Sequence, residues 1–120
     1  MVTARNVLVA ALAGVVGCIA NSVAITLVAD APLAPLILSL GREFFSVLFA
    51  LALIPIFANL PGLAAWATGF VVLEALASLS AKLVFGAAAP WSLVLFFNGI
   101  YALAAMTVYA LGQKGAPVRA

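Results

Sequence analysis

The sequence predicts an all-α membrane protein folded as an up-down-up-down bundle of four transmembrane helices, and three observations predict it. Hydrophobic residues fill 68% of the 120 positions and charged residues 7%. Soluble domains carry about 25% charged residues, so this composition lacks the polar surface that a water-exposed fold needs. The apolar residues fall into four stretches of roughly twenty residues each, the helix length that crosses a hydrocarbon core. The breaks between them are rich in Asp, Asn, Pro and Gly. They are too short to hold a soluble domain, and short enough to make successive helices antiparallel neighbours.

The first span covers about residues 6–28 and ends at Asp30. Within it Ala10, Gly14, Cys18 and Ser22 recur at four-residue spacing, with Ala13, Gly17 and Asn21 as a parallel row. Small residues at this spacing let helix backbones approach closely, replacing the hydrophobic drive that lipid does not supply. Such a face suits packing inside one bundle or a seam between copies, and Asn98, Ala102 and Ala105 offer a matching face on the fourth span. Arg5, the apolar run and Val15-Val16-Gly17-Cys18 also match a bacterial lipoprotein signal with Cys18 as the lipidated residue. The apolar run continues past Cys18 to Val28, which favours a spanning helix.

The second span, residues 35–60, follows Asp30-Ala31-Pro32, and Pro55 is expected to kink it where neighbours can satisfy the freed carbonyl. Gly41, Pro32 and Pro35 permit another reading, in which residues 31–40 lie along the interface and the span begins near Arg42. The third span, 64–86, follows Asn59-Leu60-Pro61-Gly62; the fourth, 89–111, follows Gly86 and ends before Gly112. Residues 1–120 read as a single integral membrane domain.

Arg5 precedes the first span, and Lys114 and Arg119 follow the fourth, so the positive-inside rule puts both termini on the cytoplasmic side of an inner membrane. Trp66 then falls near the inner boundary and Trp91 near the outer one, as interfacial anchors. The chain's 5 basic residues are scattered, which excludes a nucleic-acid surface. Histidine is absent and Cys18 is the single cysteine, so no disulfide, Cys/His metal cage or other cofactor is expected. There is no glycine-rich phosphate cradle or pair of carboxylates on one helix. Ser78 or Ser80 with Lys82 is the nearest approach to a nucleophile and base, and no enzyme is read from it.

Glu74 is the residue that asks for an explanation. It lies in the middle of the third span, where burying a carboxylate costs at least a few kcal/mol, so such an acid has a partner or a task. Helical rise puts Asn21, Arg42, Glu43, Ser78 and Asn98 at about 19 to 24 Å from the cytoplasmic end of their spans. Lys82 comes out at about 27 Å, and Glu74 and Tyr101 at about 15 Å. Each span thus sends polar groups into one layer of the outer half. Glu74, Ser78 and Lys82 form one stripe by four-residue spacing, and Ser39, Arg42 and Ser46 share a face of the second span. Arg42, Glu43 and Lys82 also fit simple span-end markers, with Arg42 and Lys82 snorkelling. Glu74 is too deep for that. With Arg42 about 9 Å shallower, Glu74 is expected as a neutral carboxyl bonded to Tyr101, Asn98 or Asn21 at the floor of a half-channel or packing pocket.

Two functions fit. The leading one is a non-catalytic interaction protein in the lipid bilayer, either a homo-oligomer or an accessory subunit of a larger membrane complex. The alternative is a minimal proton- or cation-coupled transporter or channel with Glu74 as its site and Arg42, Glu43 and Lys82 at the outer mouth. Four short helices enclose little space, so transport calls for a homodimer or higher oligomer. In size and in carrying a membrane-embedded acid the chain resembles the small multidrug transporters. Those place the acid on the first helix, where this chain has none before Asp30, so no family is assigned.

Overall fold

A computed structural model describes residues 2–113, and every regular element in it is helical. In chain order these are α1 (Ala4–Ala29), α2 (Leu33–Ile37), α3 (Leu40–Ala50), α4 (Leu53–Asn59), α5 (Gly62–Leu83) and α6 (Trp91–Gln113). Four helical stretches are long and apolar enough to cross a membrane: α1, the path Leu40–Asn59 through α3 and α4, α5, and α6. Lys114 and Arg119 lie outside the described residues.

Local chemistry explains the boundaries. The Thr3 hydroxyl caps α1 by accepting a hydrogen bond from the Asn6 amide at 3.1 Å. The helix ends at Asp30, which takes the left-handed conformation (φ 62°) that Asp tolerates better than most residues. The second apolar stretch does not begin as one helix at residue 35. Pro32 and Pro35 are accommodated at the start of the short α2, but the chain leaves helical geometry at Leu38 and Ser39. Ser39 then caps a new helix, its hydroxyl accepting from the Arg42 amide at 3.3 Å. Arg42 and Glu43 therefore stand in the first turn of α3. A second interruption falls at Leu51 and Ala52, four residues before Pro55, whose ring excludes the ordinary bond to the Leu51 carbonyl. That carbonyl accepts instead from the Ile54 amide at 3.1 Å.

The long helices pair in opposite directions. On α1 and α6, Arg5 meets Gly112, Gly17 meets Tyr101 and Asn21 meets Phe97 and Asn98. On α1 and α3, Gly14 lies against Ser46 and Val47 while Ser22 meets Arg42. On α5 and α6, Gly69 faces Met106 and Ser78 meets Asn98. The α1 small-residue rows are thus used within one chain: Ala10, Ala13, Gly14, Gly17, Cys18, Asn21 and Ser22 are all buried. Large apolar side chains such as Leu8, Leu12, Leu63, Val71 and Leu83 face outward, the pattern of a helix bundle apolar enough to sit in a membrane.

In the half of the molecule near the chain ends Leu53, Leu73, Met106 and Tyr109 form the core, with Phe57 edge-on to Trp66 and Tyr109 at 6.0 and 5.5 Å, and a cavity of about 490 Å³ opens beside Phe57, Trp66 and Tyr109. At the other end Lys82 ties down the α5–α6 connection. Its ammonium donates to the carbonyls of Ala87 (3.3 Å) and Ala89 and sits 5.4 Å from the centre of the Trp91 ring. Lys82→Met keeps the apolar stem and removes these contacts. We expect a loss of about 1.5 kcal/mol in detergent unfolding, with faster amide exchange confined to residues 84–90. A variant as stable as the wild type would show the lysine to be an idle surface charge.

Candidate functional site

The polar layer is one connected chain of hydrogen bonds that takes a side chain from each of the four long helical stretches. It starts at Arg42 on α3, whose Nη2 donates to Asn21 Oδ1 on α1 at 2.8 Å. The Asn21 amide donates to Asn98 Oδ1 on α6 at 3.2 Å and to the Phe97 carbonyl at 2.8 Å. Asn98 Nδ2 donates to Ser78 Oγ on α5 at 3.3 Å, and the Ser78 hydroxyl donates to Glu74 Oε1 at 2.9 Å. Every donor points the same way, from a permanent cation through two amides and a hydroxyl to a carboxyl group. Bonds aligned head to tail polarise one another, so the ends of such a chain sense each other without touching.

The anchors of the chain come from local geometry. Arg42 is held by three neutral acceptors: Asn21 Oδ1, Ser22 Oγ at 2.9 Å and, through Nε, the Leu36 carbonyl at 3.1 Å. The Leu36 carbonyl belongs to the end of α2, where helical carbonyls lack partners, so the break at Leu38 and Ser39 creates the acceptor that holds the guanidinium. The Ser22 hydroxyl in turn donates to the Cys18 carbonyl at 2.8 Å. At the far end Gly99 lets α6 run against Glu74: a Cβ there would stand 3.0 Å from Glu74 Oε2. Gly17 does the same for Tyr101, whose ring carbons lie 2.7 and 2.9 Å from where a Cβ would be.

Above the chain, between α3 and α5, is a cavity of about 190 Å³. Arg42, Ser39 and Ser46 line it from α3, Ser80 from α5, and Asn21, Asn98 and Tyr101 from α1 and α6. Phe45, Phe49 and Phe85 supply apolar wall, with Phe45 and Phe85 edge-on at 5.6 Å.

The residues singled out from sequence divide into two sets. Arg42, Asn21, Asn98, Ser78 and Glu74 are joined, and Tyr101 borders the same cavity. Tyr101 does not bond Glu74; its hydroxyl donates to the Ser46 carbonyl at 2.6 Å and links α6 to α3. Asn98 and Asn21 reach Glu74 only through Ser78, because the carboxyl stays on its own helix face four residues below that serine. Lys82 leaves the stripe for the loop carbonyls described above. Glu43 also stands apart: one of its carboxylate oxygens is buried without a hydrogen-bond partner among the described residues. No cluster of His, Cys, Asp and Glu fit to hold a metal ion occurs among the described residues.

No family model, curated protein or solved structure matches this chain. Its site is therefore read from geometry alone. The groups that sequence reasoning missed are the Leu36 and Phe97 carbonyls and the close approach at Gly99. A backbone acceptor leaves no mark in a sequence; a glycine beside Asn98 was the one visible signal for the last.

Proposed function

We propose that this protein is a small multi-pass transporter of the inner membrane, with both termini cytoplasmic and the Arg42 cavity facing the outer leaflet. Its four spans form an up-down-up-down bundle, and Glu74 is the proton-carrying group. The observation that carries this reading is the one-way chain from Arg42, at a cavity wall, to Glu74, at membrane depth. A solute that engages the remaining donors of Arg42 draws on the same positive charge and weakens the bond to Asn21. Weakening that bond relaxes the Asn98 and Ser78 links and alters how well the Glu74 carboxyl is solvated, so solute binding and proton affinity become linked. Below Tyr101 the interior is filled by Leu53, Leu73 and Met106, so the cavity is a half-channel, separated by these residues from the larger cavity beside Tyr109 and Trp66. The path inward opens by helix movement, and a second copy of the chain completes it.

Glu74→Gln in vesicles with a trapped pH dye tests the reading. The amide keeps the volume and accepts from Ser78 but carries no exchangeable acidic proton. Solute-driven proton flux should fall roughly a hundredfold with little change in thermal stability. A second reading, an accessory or homo-oligomeric bundle in which the chain is only interhelical glue, is favoured by the closure of every link from Arg42 to Glu74. On that reading Glu74→Gln shifts the unfolding midpoint and no Glu74-dependent flux exists.

A further inference from the structure

We infer that the cavity between α3 and α5 seats a small monovalent anion, a halide, nitrate or short carboxylate, on the Arg42 guanidinium; the inference deepens the reading of that cavity as the solute pocket. Charge points there first. Arg42 is the single charged residue among those lining the cavity, and none of them is acidic. Its three hydrogen-bond acceptors are neutral, and Nη1 takes part in none of the three bonds. The guanidinium is thus fixed in place, keeps its full charge and retains two N–H donors on Nη1.

Helix direction adds to this. α3 begins at Leu40, and its cap Ser39 lines the cavity, so the positive end of that helix dipole lies at the same wall. Glu43 shares this first turn but is not among the lining residues. A cationic solute would meet only like charge, in surroundings where little water screens it.

Size and valence narrow the class. About 190 Å³ is room for a halide or a carboxylate of a few atoms with residual water. Drug-sized ligands occupy pockets of about 300 Å³ or more. A doubly charged oxyanion needs a second cation, and Lys82, the nearest in sequence to this cavity wall, is committed to the Ala87 and Ala89 carbonyls. The phosphodiester of a lipid headgroup is also a singly charged oxyanion, so source as well as affinity must be tested.

The experiment uses the full-length protein in neutral maltoside detergent, titrated with sodium nitrate, chloride or acetate against sodium gluconate at equal ionic strength. We expect a saturable rise in unfolding midpoint with the first three and a weaker one with gluconate, a bulkier carboxylate. Arg42→Gln should weaken the nitrate response about tenfold, the loss of one charge-assisted pair. Ala81→Leu, which fills the cavity without removing any acceptor of Arg42, should do the same and covers the case in which Arg42→Gln fails to fold. Equal midpoints in all four salts, or a wild-type response in Ala81→Leu, overturn the inference. A nitrate response that persists in phosphatidylcholine nanodiscs containing phosphatidylglycerol supports a free anion; one abolished by that lipid assigns the seat to a headgroup and overturns it. An anion response without Glu74-dependent flux keeps the anion seat and removes the transport reading. Glu74-dependent flux without an anion response does the reverse.

Discussion

Gly14→Val should be the most damaging single substitution in the chain, destabilising it by about 3 kcal/mol. A Cβ at Gly14 would lie 2.6 Å from Val47 Cα and 2.7 Å from the Ser46 carbonyl oxygen. Those are backbone atoms of α3, so no rotamer change relieves the collision, and the two helices must separate. Separation also stretches the bonds from Arg42 to Asn21 and Ser22, at 2.8 and 2.9 Å, which cross the same interface. Gly41→Ala is the matched control. There the nearest atom is Cε1 of the Phe85 ring at 3.2 Å, and a side chain at the mouth of the cavity can shift. Its cost should stay below about 1 kcal/mol. Denaturant unfolding in mild detergent measures both, and a Gly14→Val midpoint matching that of Gly41→Ala would refute the close α1–α3 contact.

Asn21→Leu should come second, at about 3 kcal/mol, and should act at a distance. Asn21 is 5% exposed and makes three bonds: it accepts from Arg42 and donates to Asn98 Oδ1 and to the Phe97 carbonyl. Leucine fills nearly the same volume, so the cost is chiefly the unpaired groups left behind, about 1 kcal/mol for each bond and more where a charge is involved. Interhelical bonds within membranes average nearer 0.6 kcal/mol, which sets a lower limit of about 2 kcal/mol. The informative quantity is the coupling between Asn21→Leu and Glu74→Gln. These residues do not touch, and substitutions at separate sites usually add within about 0.5 kcal/mol. If the hydrogen-bond chain acts as one unit, the double variant should depart from additivity by more than that. Strict additivity would reduce the chain to independent local bonds. On the proposed transport reading, Asn21→Leu should lower solute-driven flux in vesicles as Glu74→Gln does, since both sever the connection between cavity and acid.

Parts of this site are legible in the sequence. Helical rise alone put Asn21, Arg42, Ser78 and Asn98 into one layer, because depth along a span depends only on residue number and a fixed 1.5 Å step. The order of bonding was not visible. Depth says nothing of rotation about the helix axis, and rotation decides that Glu74 faces Gly99 and Ser78 while Tyr101 faces Ser46. The break before α3 was visible only as one of two options. Pro32 and Pro35 are allowed in a helical first turn, and the Ser39 cap competes with helix continuation by a margin that packing settles. Lys82 was read as part of the stripe because spacing put it there. Its long side chain follows the nearest unsatisfied carbonyls, and these belong to a loop whose path the spacing does not describe.

Composition, by itself, determined that this chain is helical and carries four stretches able to cross a membrane, since a backbone in hydrocarbon must satisfy its hydrogen bonds within each segment. Small-residue spacing determined that α1 presents a close-approach surface. What only the tertiary structure decided is who occupies that surface: the α3 backbone at Gly14 and the Tyr101 ring at Gly17, both within the same chain. It likewise decided that a guanidinium and a carboxyl on different helices are joined through three intermediaries. Linear sequence encodes depth and steric size, whereas partner and azimuth emerge only when the four spans pack together.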